Sequence, residues 1–331
     1  MLQPIPHGAT ARRLEWSFLP PRLRDLVARR LGSAVVHAAS CGGGFTPGMA
    51  SVLTCEDGTR HFVKAASVKA QREFAAAYAE EARRLALLPP GVPAPRLRWW
   101  HRDEDWVVLA IEHVPGVPAP RPWTDDDLDR ALDALEECAH LLTPAPPGLA
   151  PATFAEEMTG AVAAWAGVRH DLPGLAEHAA EAARLAASHV EVTAGGTAVH
   201  TDVRDDNVLV GPHGEVWLCD WNFPARGAAW IDTVDLLLGP RGDGVDVDAL
   251  LASRSLTRDV PPDHVDRLIA LMAGFYLQAR DRPVPPASPW LRAHQDQCAQ
   301  VAWGWLAERR GWIGPAGAAG GASDLGAVGT A

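Results

Sequence analysis

The feature that most restricts how this chain can fold is a pair of short apolar runs near its middle. Residues 208–210 and 216–219 are rich in valine and leucine, and a Gly-Pro-His-Gly sequence typical of a tight turn lies between them at 211–214. The sequence therefore predicts a β-hairpin. A hairpin places the residue before its first strand and the residue after its second strand at the same end of the ladder. Here those residues are Asn207 and Asp220.

Asn207 and Asp220 together form a candidate metal site. Carboxylate and amide oxygens are suitable ligands for Mg²⁺, which proteins usually hold through one or two such groups, with phosphate oxygens and water as the other ligands. Asp202 lies five residues before Asn207, on the loop that leads into the predicted hairpin. We expect its carboxylate to face whatever the metal holds. This set of residues suits one reaction, the transfer of a phosphoryl group from a nucleotide.

The same segment carries a recognisable pattern. Residues 200–207 read HxDxxxxN, and the later Asp220 is followed by an aromatic residue. The pattern resembles the catalytic and metal-binding loops of the aminoglycoside phosphotransferase family, small-molecule kinases that share the protein-kinase-like fold. The resemblance implies that Asp202 orients and deprotonates an acceptor hydroxyl, and that Asn207 and Asp220 bind the metal.

The sequence departs from the family's pattern at two positions. Thr201 stands where the family usually has glycine, and Asn222 stands where a glycine or an acidic residue is common. Neither change removes a chemical group from the site, so both bear mainly on the shape of the loop. Further along the chain, the resemblance implies that an Asp at about the position of Asp235 accepts hydrogen bonds from amides of the catalytic loop. Helix capping is the alternative role for this carboxylate and for that of Asp232.

The amino-terminal third supplies the phosphate-binding loop that a kinase-like site requires. Residues 42–48 are dense in glycine, so their backbone can approach phosphate oxygens closely. We assign Gly43, Gly44 and Thr46 to the nucleotide, with the Thr46 hydroxyl as an additional donor. The chain has no GxxxxGKS or GxxxxGKT motif, and Pro47 prevents a match to GxGxxG. These absences argue against a P-loop and against a Rossmann fold.

A lysine and a glutamate follow in the order that the kinase template requires. An Asp-Gly pair at 57–58, between β-prone runs, predicts a hairpin whose return strand closes at Lys64. The Lys64 ammonium is expected to bind the α- and β-phosphates of the nucleotide. An alanine-rich stretch at 69–88 then predicts a helix with one buried stripe. Glu81 in this helix is the expected partner of Lys64, and Glu80 is the alternative.

A hinge between two lobes is expected after the next hairpin. Residues 97–111 predict that hairpin, and residues 112–116 follow it. This second segment resembles the family's hinge, in which backbone groups bind the edge of adenine. The resemblance assigns Glu112 and Val114 to the nucleotide, which is expected to be ATP. GTP is an alternative, because contacts to the backbone leave no side-chain signature.

Together these elements predict an α+β protein with the bilobal, protein-kinase-like fold. Residues 1–114 are expected to form the N-lobe, a small β-sheet with the nucleotide-binding helix. Residues 115–312 are expected to form a mostly helical C-lobe with the catalytic loop, the metal site and the acceptor site. Residues 313–331 are poor in large apolar side chains and are expected to form a disordered tail. Helices of the C-lobe are predicted between Thr124 and Pro144 and at 153–168, 174–188, 246–253, 263–280 and 290–310.

Composition limits the partners. The chain has 331 residues, a formal net charge of −11 and no basic stripe, because its arginine pairs are scattered. This charge disfavours nucleic acid and acidic membranes as partners. Five dispersed cysteines without a CxxC pair indicate free thiols, and neither a signal peptide nor a long apolar span is seen. A cytoplasmic protein is therefore expected, and its oligomeric state is not set by the sequence.

The acceptor is the part of the reaction on which the sequence is least informative. The resemblance favours a small molecule with a hydroxyl, either an aminoglycoside or other antibiotic, or a choline-, homoserine- or sugar-like metabolite. An acidic surface could attract a cationic acceptor, and it could equally serve solubility alone. A catalytically silent, nucleotide-binding module of the same fold is the alternative to an enzyme. The candidate lining residues are acidic, amide or aromatic side chains of the C-terminal third: Asp243, Asp246, Asp248, Trp290, Gln295, Trp303 and Trp305.

Overall fold

A five-stranded antiparallel sheet forms the amino-terminal part of the protein. The computed structural model describes residue 6 and residues 10–314. The strands of this sheet are β1 Val35–Ser40, β2 Met49–Cys55, β3 Arg60–Ser67, β4 Leu97–Arg102 and β5 Trp106–Glu112. Their order across the sheet is β1-β2-β3-β5-β4.

One helix covers each face of the sheet. Successive side chains of a strand point to opposite faces, and in β5 Val108 packs in a small core with helix α1, Pro21–Leu31. The next residue, Leu109, packs in the main core with helix α2, Arg72–Leu87. Helix α2 confirms the helix predicted at 69–88, whereas α1 was not predicted. The sheet is thereby buried on both sides, which fixes the position of β3 and of its lysine.

The predicted hairpin before Lys64 is confirmed. Strands β2 and β3 pair in antiparallel fashion, and Gly58 in the turn has a φ of +83°, which glycine adopts without steric cost. The prediction that the return strand closes at Lys64 is wrong, because β3 continues to Ser67. Ala65 and Ala66 are fully buried and pair with β5, so their backbone groups keep their hydrogen-bond partners only if the strand continues.

The remainder of the described chain is mostly helical. The two longest helices, Pro262–Ala279 and Leu291–Arg309, pack against each other, and both contribute buried residues to the main core. The helices are α3 Asp125–Leu141, α4 Phe154–Glu157, α5 Thr159–Ala164, α6 Leu175–Ala187, α7 Ile231–Gly242, α8 Val247–Ser253, α9 Pro262–Ala279 and α10 Leu291–Arg309.

The predicted helices of this part are confirmed to within a few residues, with one exception. The segment 153–168 is not one helix but α4, α5 and a short 3₁₀ turn at Trp165–Gly167. The Thr159 hydroxyl donates to the carbonyls of Ala155 at 3.2 Å and Glu156 at 2.9 Å. A threonine that bonds to the preceding turn in this way competes with continuous helix formation. Helix α7 was not predicted.

The predicted hairpin between Asn207 and Asp220 is present. The short strands of this region are β6 Val117–Pro118, β7 Thr197–Val199, β8 Val208–Val210, β9 Val216–Leu218 and β10 Ala225–Gly227. Strands β6, β8 and β9 form one small sheet in that order, and β7 pairs with β10. Val208 lies opposite Leu218, and the amide of Cys219 donates to the carbonyl of Asn207 at 2.8 Å. The two ends of the hairpin are therefore adjacent, as predicted.

The lobe boundaries drawn from the sequence stay predictions. The large sheet ends at Glu112, close to the predicted hinge. Most of the predicted tail, residues 315–331, lies outside the described residues. Within the described part of the chain, no helix has both the length and the apolar character needed to cross a membrane.

Candidate active site

Lys64 lies at the centre of a buried group of opposite charges. Its Nζ lies 2.8 Å from Oε1 and 2.9 Å from Oε2 of Glu81, and it also donates to Oδ1 of Asp220. Burial disfavours the charge of Lys64, but the carboxylates of Asp220 and Glu81 outweigh this effect and raise the pKa of its ammonium. Glu80, the alternative partner, pairs instead with Arg83 at the surface. The structure thus brings Lys64, Glu81 and Asp220 together from three separate elements.

His200 is buried and connects the catalytic loop to the end of the hairpin. Its Nε2 lies 2.8 Å from the carbonyl oxygen of Cys219, and its Nδ1 accepts from the amide of Asp202 at 3.3 Å. Nε2 therefore carries the proton, and burial lowers the pKa of the ring, which keeps it neutral. The ring also packs edge-on against Trp221, with centroids 4.6 Å apart. His200 holds Asp202 in register with the residues that follow the hairpin.

The residue after His200 has an uncommon backbone conformation. Thr201 has a φ of +67°, in the left-handed region that β-branched residues rarely adopt. The backbone amides of His200 and Thr201 both donate to the carboxylate of Asp232, at 2.7 Å and 2.9 Å. Asp235 accepts from the amide of Val203 at 2.8 Å. The resemblance implied that Asp235 accepts hydrogen bonds from amides of the catalytic loop. Asp235 accepts one such bond, and Asp232 accepts two.

Asp202 lies between an amide and a guanidinium. Its Oδ2 accepts from Nδ2 of Asn207 at 3.0 Å, and its Oδ1 accepts from Nη1 of Arg204 at 2.9 Å. Burial raises the pKa of the Asp202 carboxyl to about 6, against the opposing effect of Arg204. Arg204 also binds Asp206, with Nε 2.5 Å from Oδ1. Sequence reasoning missed Arg204, because one more arginine among scattered arginines gives no signal of its own.

Asn207 and Asp220 border the same cavity of about 620 Å³, here called the sheet-side cavity. Nδ2 of Asn207 donates to the carbonyl and the carboxylate of Asp202, so its Oδ1 has no partner among the described residues. Burial raises the pKa of Asp220 and Lys64 lowers it, with a net value of about 2, so this carboxyl is ionised. An ionised carboxylate and a free amide oxygen fit Mg²⁺. The Oδ1 of Asn222 is also buried and unpartnered among the described residues, and it borders the same cavity.

The glycine-rich loop forms one wall of the sheet-side cavity, and Gly43, Gly44 and Thr46 all border it. The backbone amides of residues 42–46 donate to no other described residue. Free amides that face a cavity are the groups that bind phosphate oxygens. The carbonyl side of the loop is held in place, since the Thr10 hydroxyl donates to the Gly44 carbonyl at 2.5 Å.

Phe45, at the tip of this loop, contacts the helical part of the protein. Its ring centroid lies 4.9 Å from that of His294 and 5.6 Å from the guanidinium carbon of Arg204. The hydroxyl of Ser288 donates to the carbonyl of Phe45 at 2.5 Å. The glycine-rich loop is therefore joined to the segment before α10, next to the catalytic loop. Sequence reasoning did not single out these contacts.

Glu112 and Val114 border the sheet-side cavity at its far side. Val114 is 9% exposed, and its amide donates to no other described residue. The side chain of Glu112 is engaged elsewhere, with Oε1 2.7 Å from Nη2 of Arg98. A free amide at the edge of the cavity is what the predicted hinge requires, and the assignment of both residues to the nucleotide stays a prediction.

A second cavity of about 550 Å³, the helix-side cavity, lies among α4, α5, α9 and the start of α10. Asp202 and Arg204 border both cavities. Gln295, one of the acceptor candidates, borders the helix-side cavity. The two cavities thus meet at the predicted base.

The other acceptor candidates do not border the helix-side cavity. Trp303 and Trp305 are 2% and 1% exposed and belong to the core. The Trp305 Nε1 donates to Asp248 at 3.1 Å, and Asp246 caps α8. Trp290 precedes α10 at its N-cap. Asp243 instead borders a small cavity of about 80 Å³ behind the catalytic loop.

Solved structures share this fold at low sequence identity. Choline kinase from Streptococcus pneumoniae matches with a TM-score of 0.59 and 13% identity, over 85% of this chain and 99% of that chain. An amicoumacin kinase in complex with AMP-PNP and Ca²⁺ matches with a TM-score of 0.52 and 14% identity, over 84% and 92%. A type I macrolide 2′-phosphotransferase matches with a TM-score of 0.53 and 16% identity, over 86% and 95%. At these identities the similarity shows the fold alone, and it confirms the predicted kinase-like class.

Sequence comparison extends this finding from the fold to the family. None of the curated protein sequences matches the chain significantly. A model of the phosphotransferase enzyme family, abbreviated APH, matches residues 3–263, well over half of the chain. The chain therefore belongs to the phosphotransferase enzyme family and is a small-molecule kinase, as its residue pattern predicted.

Proposed function

We propose that the protein transfers the γ-phosphoryl group of Mg·ATP to a hydroxyl of a small molecule. The observation that supports this most directly is the position of Asp202, which borders both cavities. A donor in the sheet-side cavity and an acceptor in the helix-side cavity would meet at its carboxylate. Phosphoryl transfer depends mainly on such positioning and on charge neutralisation.

The residues around the sheet-side cavity are proposed to hold the nucleotide. The free amides of the loop at Gly43 and Gly44, with the Thr46 hydroxyl, receive phosphate oxygens, and Lys64 binds the α- and β-phosphates with Glu81 holding its side chain. Backbone groups of Glu112 and Val114 bind the base. Since the contacts are to the backbone, GTP remains an alternative donor.

Asn207 and Asp220 are proposed to bind Mg²⁺, which would neutralise charge on the phosphates when bound. Asp220 is ionised and Asn207 has a free oxygen, and both border the cavity in which phosphates would lie. Asp220 also pairs with Lys64, which borders the same cavity.

Asp202 is proposed to orient the acceptor hydroxyl and to take up its proton. Its Oδ2 is fixed by Asn207 and its Oδ1 by Arg204, so the carboxylate is held in one orientation. A pKa of about 6 leaves Asp202 ionised at neutral pH, yet basic enough to accept a proton. Arg204 lies where the transferring group would pass and is proposed to stabilise charge on its oxygens.

The acceptor is proposed to be a hydroxylated antibiotic, and a role in antibiotic resistance would follow. Similar folds carry the names of an amicoumacin kinase, a macrolide phosphotransferase and a choline kinase, so a metabolite acceptor is the second candidate. A catalytically silent module is disfavoured, because the base, both metal ligands and the lysine–glutamate pair are all present in one arrangement. Since the donor is ATP, we propose that the protein acts in the cytoplasm.

The experiment that tests this proposal is an ADP-release assay with Mg·ATP over a panel of hydroxylated amines, sugars and antibiotics. Asp202→Asn should abolish ADP release while calorimetric ATP affinity stays within about twofold, because Asp202 is proposed to act on the acceptor hydroxyl and the groups proposed to hold the nucleotide remain. Asp259→Asn changes an exposed carboxylate that borders neither cavity; it is the control and should retain full activity. A lack of ATP binding by the unaltered protein would contradict the proposal. Turnover by Asp202→Asn would show that Asp202 is not the base.

A further inference from the structure

The helix-side cavity has a wall made mainly of carbon. The side chains that form it come from α4, α7 and α9 and from the turn after α4, and four of them are almost fully buried. The principal apolar members are Phe154, Met158, Ile231, Leu268, Leu271 and Met272. Methionine side chains adapt their shape to irregular apolar ligands. Such a wall favours an acceptor with a substantial apolar surface.

Two exposed phenyl rings flank the same cavity. Phe223 is 59% exposed and Phe275 is 42% exposed, and both border the helix-side cavity. A single exposed apolar side chain is ordinary on a protein surface. Two large exposed rings that border one apolar cavity add to its apolar surface, and large exposed apolar areas mark binding sites. A ligand that covers both rings would remove their surface from water.

The charges around the cavity nearly cancel. It is bordered by three acidic side chains and two basic ones, Arg204 and Arg282, so their formal net charge is −1. The carboxylate of Asp202 forms an ion pair with Arg204. Asp235 accepts from a backbone amide, and burial raises the pKa of its carboxyl to about 8. Glu157, which is exposed, is the acidic side chain left for a ligand.

A ligand with several ammonium groups is therefore a poor fit. Each ammonium that leaves water needs a carboxylate within hydrogen-bond distance, because the cost of desolvation is otherwise not recovered. One available carboxylate supports one ammonium. An acceptor that is neutral, or that carries one positive charge, meets no such obstacle.

We propose that the acceptor is a drug-sized, largely apolar molecule that presents its hydroxyl to Asp202, lays its apolar face on Phe223 and Phe275, and carries at most one positive charge. A cavity of about 550 Å³ is of the size that encloses such a ligand. The inference rests on the proposed function, since it assumes that the hydroxyl reacts beside Asp202. It replaces the expectation that the acidic surface selects a cationic acceptor.

The test measures binding and turnover of two sets of compounds on the full chain with Mg·AMP-PNP or Mg·ATP. The salt concentration is about 0.15 M, because screening at this ionic strength suppresses non-specific binding of polycations. Erythromycin and chloramphenicol represent apolar hydroxylated acceptors, and kanamycin and streptomycin represent polycations. The apolar set should bind at least about tenfold more tightly, and ADP should form with a member of that set. Equal or tighter binding of the polycations, or no binding of either apolar compound, overturns the inference.

A pair of matched variants tests the site. Phe275→Ala should raise the KM of an apolar acceptor about tenfold, which corresponds to the loss of one phenyl contact, while the KM of ATP changes less than about twofold. Phe18→Ala removes a ring that is 73% exposed and does not border the cavity, and it should change neither constant. An unchanged acceptor KM in Phe275→Ala contradicts the placement. If the unaltered protein does not bind ATP, the proposed function is refuted. If ADP is released only with the polycations, the function stands and the proposed class of acceptor is refuted.

Discussion

Nη1 of Arg204 lies 2.9 Å from Oδ1 of Asp202, and both side chains border the two cavities. A guanidinium at this junction is placed to attract the oxygens of a phosphoryl group as charge develops on them. It also opposes the effect of burial on the pKa of the carboxyl beside it. One residue thereby influences both the transfer and the protonation state of the proposed base.

Arg204→Gln should lower kcat about 100-fold, the usual effect of removing one group that stabilises developing charge. The KM of ATP should change much less, because Lys64 and the loop amides remain. Steady-state kinetics with Mg·ATP and a reactive acceptor measure both constants. Arg258→Gln, at an exposed arginine elsewhere, is the matched control. An unchanged kcat in Arg204→Gln would remove the residue from the mechanism.

The pH dependence of kcat/KM should report the ionisation of Asp202. The base must be ionised to accept a proton, and burial raises its pKa to about 6. Activity should therefore be constant above about pH 7 and fall about tenfold for each pH unit below about pH 6. In Arg204→Gln the same limb should move to higher pH, because the positive charge that favours ionisation is gone. Circular dichroism at each pH verifies that the protein stays folded, and a flat profile down to about pH 5 would contradict the assignment.

Lys64→Met should lower the free energy of unfolding by about 3 kcal/mol, because Glu81 is left buried without its cation. Adding Glu81→Leu should recover most of this loss, since the buried carboxylate is removed as well. ADP formation should stay at least about 100-fold below normal in both variants. Urea unfolding and the ADP assay separate the two effects.

Lys69→Met is the control for this pair, because the Lys69 side chain is 75% exposed and binds the half-buried carboxylate of Asp105. It should change the free energy of unfolding by less than about 0.5 kcal/mol. If the double variant were as unstable as Lys64→Met, the burial of an unpaired Glu81 would not be the cause of the loss.

Asp232→Ala should destabilise the fold by about 3 kcal/mol. The substitution leaves the amides of His200 and Thr201 without their acceptor, and each buried donor that loses its partner costs about 1–3 kcal/mol. It also removes the support for the left-handed Thr201, so ADP formation should fall with stability. Thermal and urea unfolding measure the loss, with Asp259→Ala as the exposed control. A stable but inactive Asp232→Ala would indicate that the carboxylate orients the loop without holding the fold.

The hairpin and its flanking ligands were predictable because their geometry is local. A tight turn between two apolar runs determines that Asn207 and Asp220 meet, whatever surrounds them. The Lys64–Glu81 pair required more, since a strand and a helix must pack before the two side chains touch. The family's pattern supplied that order, and the structure selects Glu81 over Glu80 because Glu81 lies on the buried face of α2.

The parts that the sequence could not show depend on distant contacts or on burial from all sides. Helix α7 is buried on almost every side, with polar residues such as Asp232 among its buried ones, and it contains Pro240. It therefore lacks the one-sided periodicity by which a helix is recognised. Trp303 and Trp305 carry no sequence signal that separates a core ring from a ring in a binding site. The wall of the helix-side cavity is assembled from five helices and several of the segments that connect them, which no single motif describes.

The hydrogen bond from Ser288 to Phe45 joins residues 243 positions apart and holds the tip of the glycine-rich loop down beside the catalytic loop. A nucleotide bound under that tip, as proposed, would leave only after the contact opened. Departure of ADP would then be a step separate from the chemistry, and in kinases with closing loops such a step often limits turnover. The number of catalytic cycles per second would be set by how often this loop lifts, and kcat should fall as the viscosity of the solvent is raised.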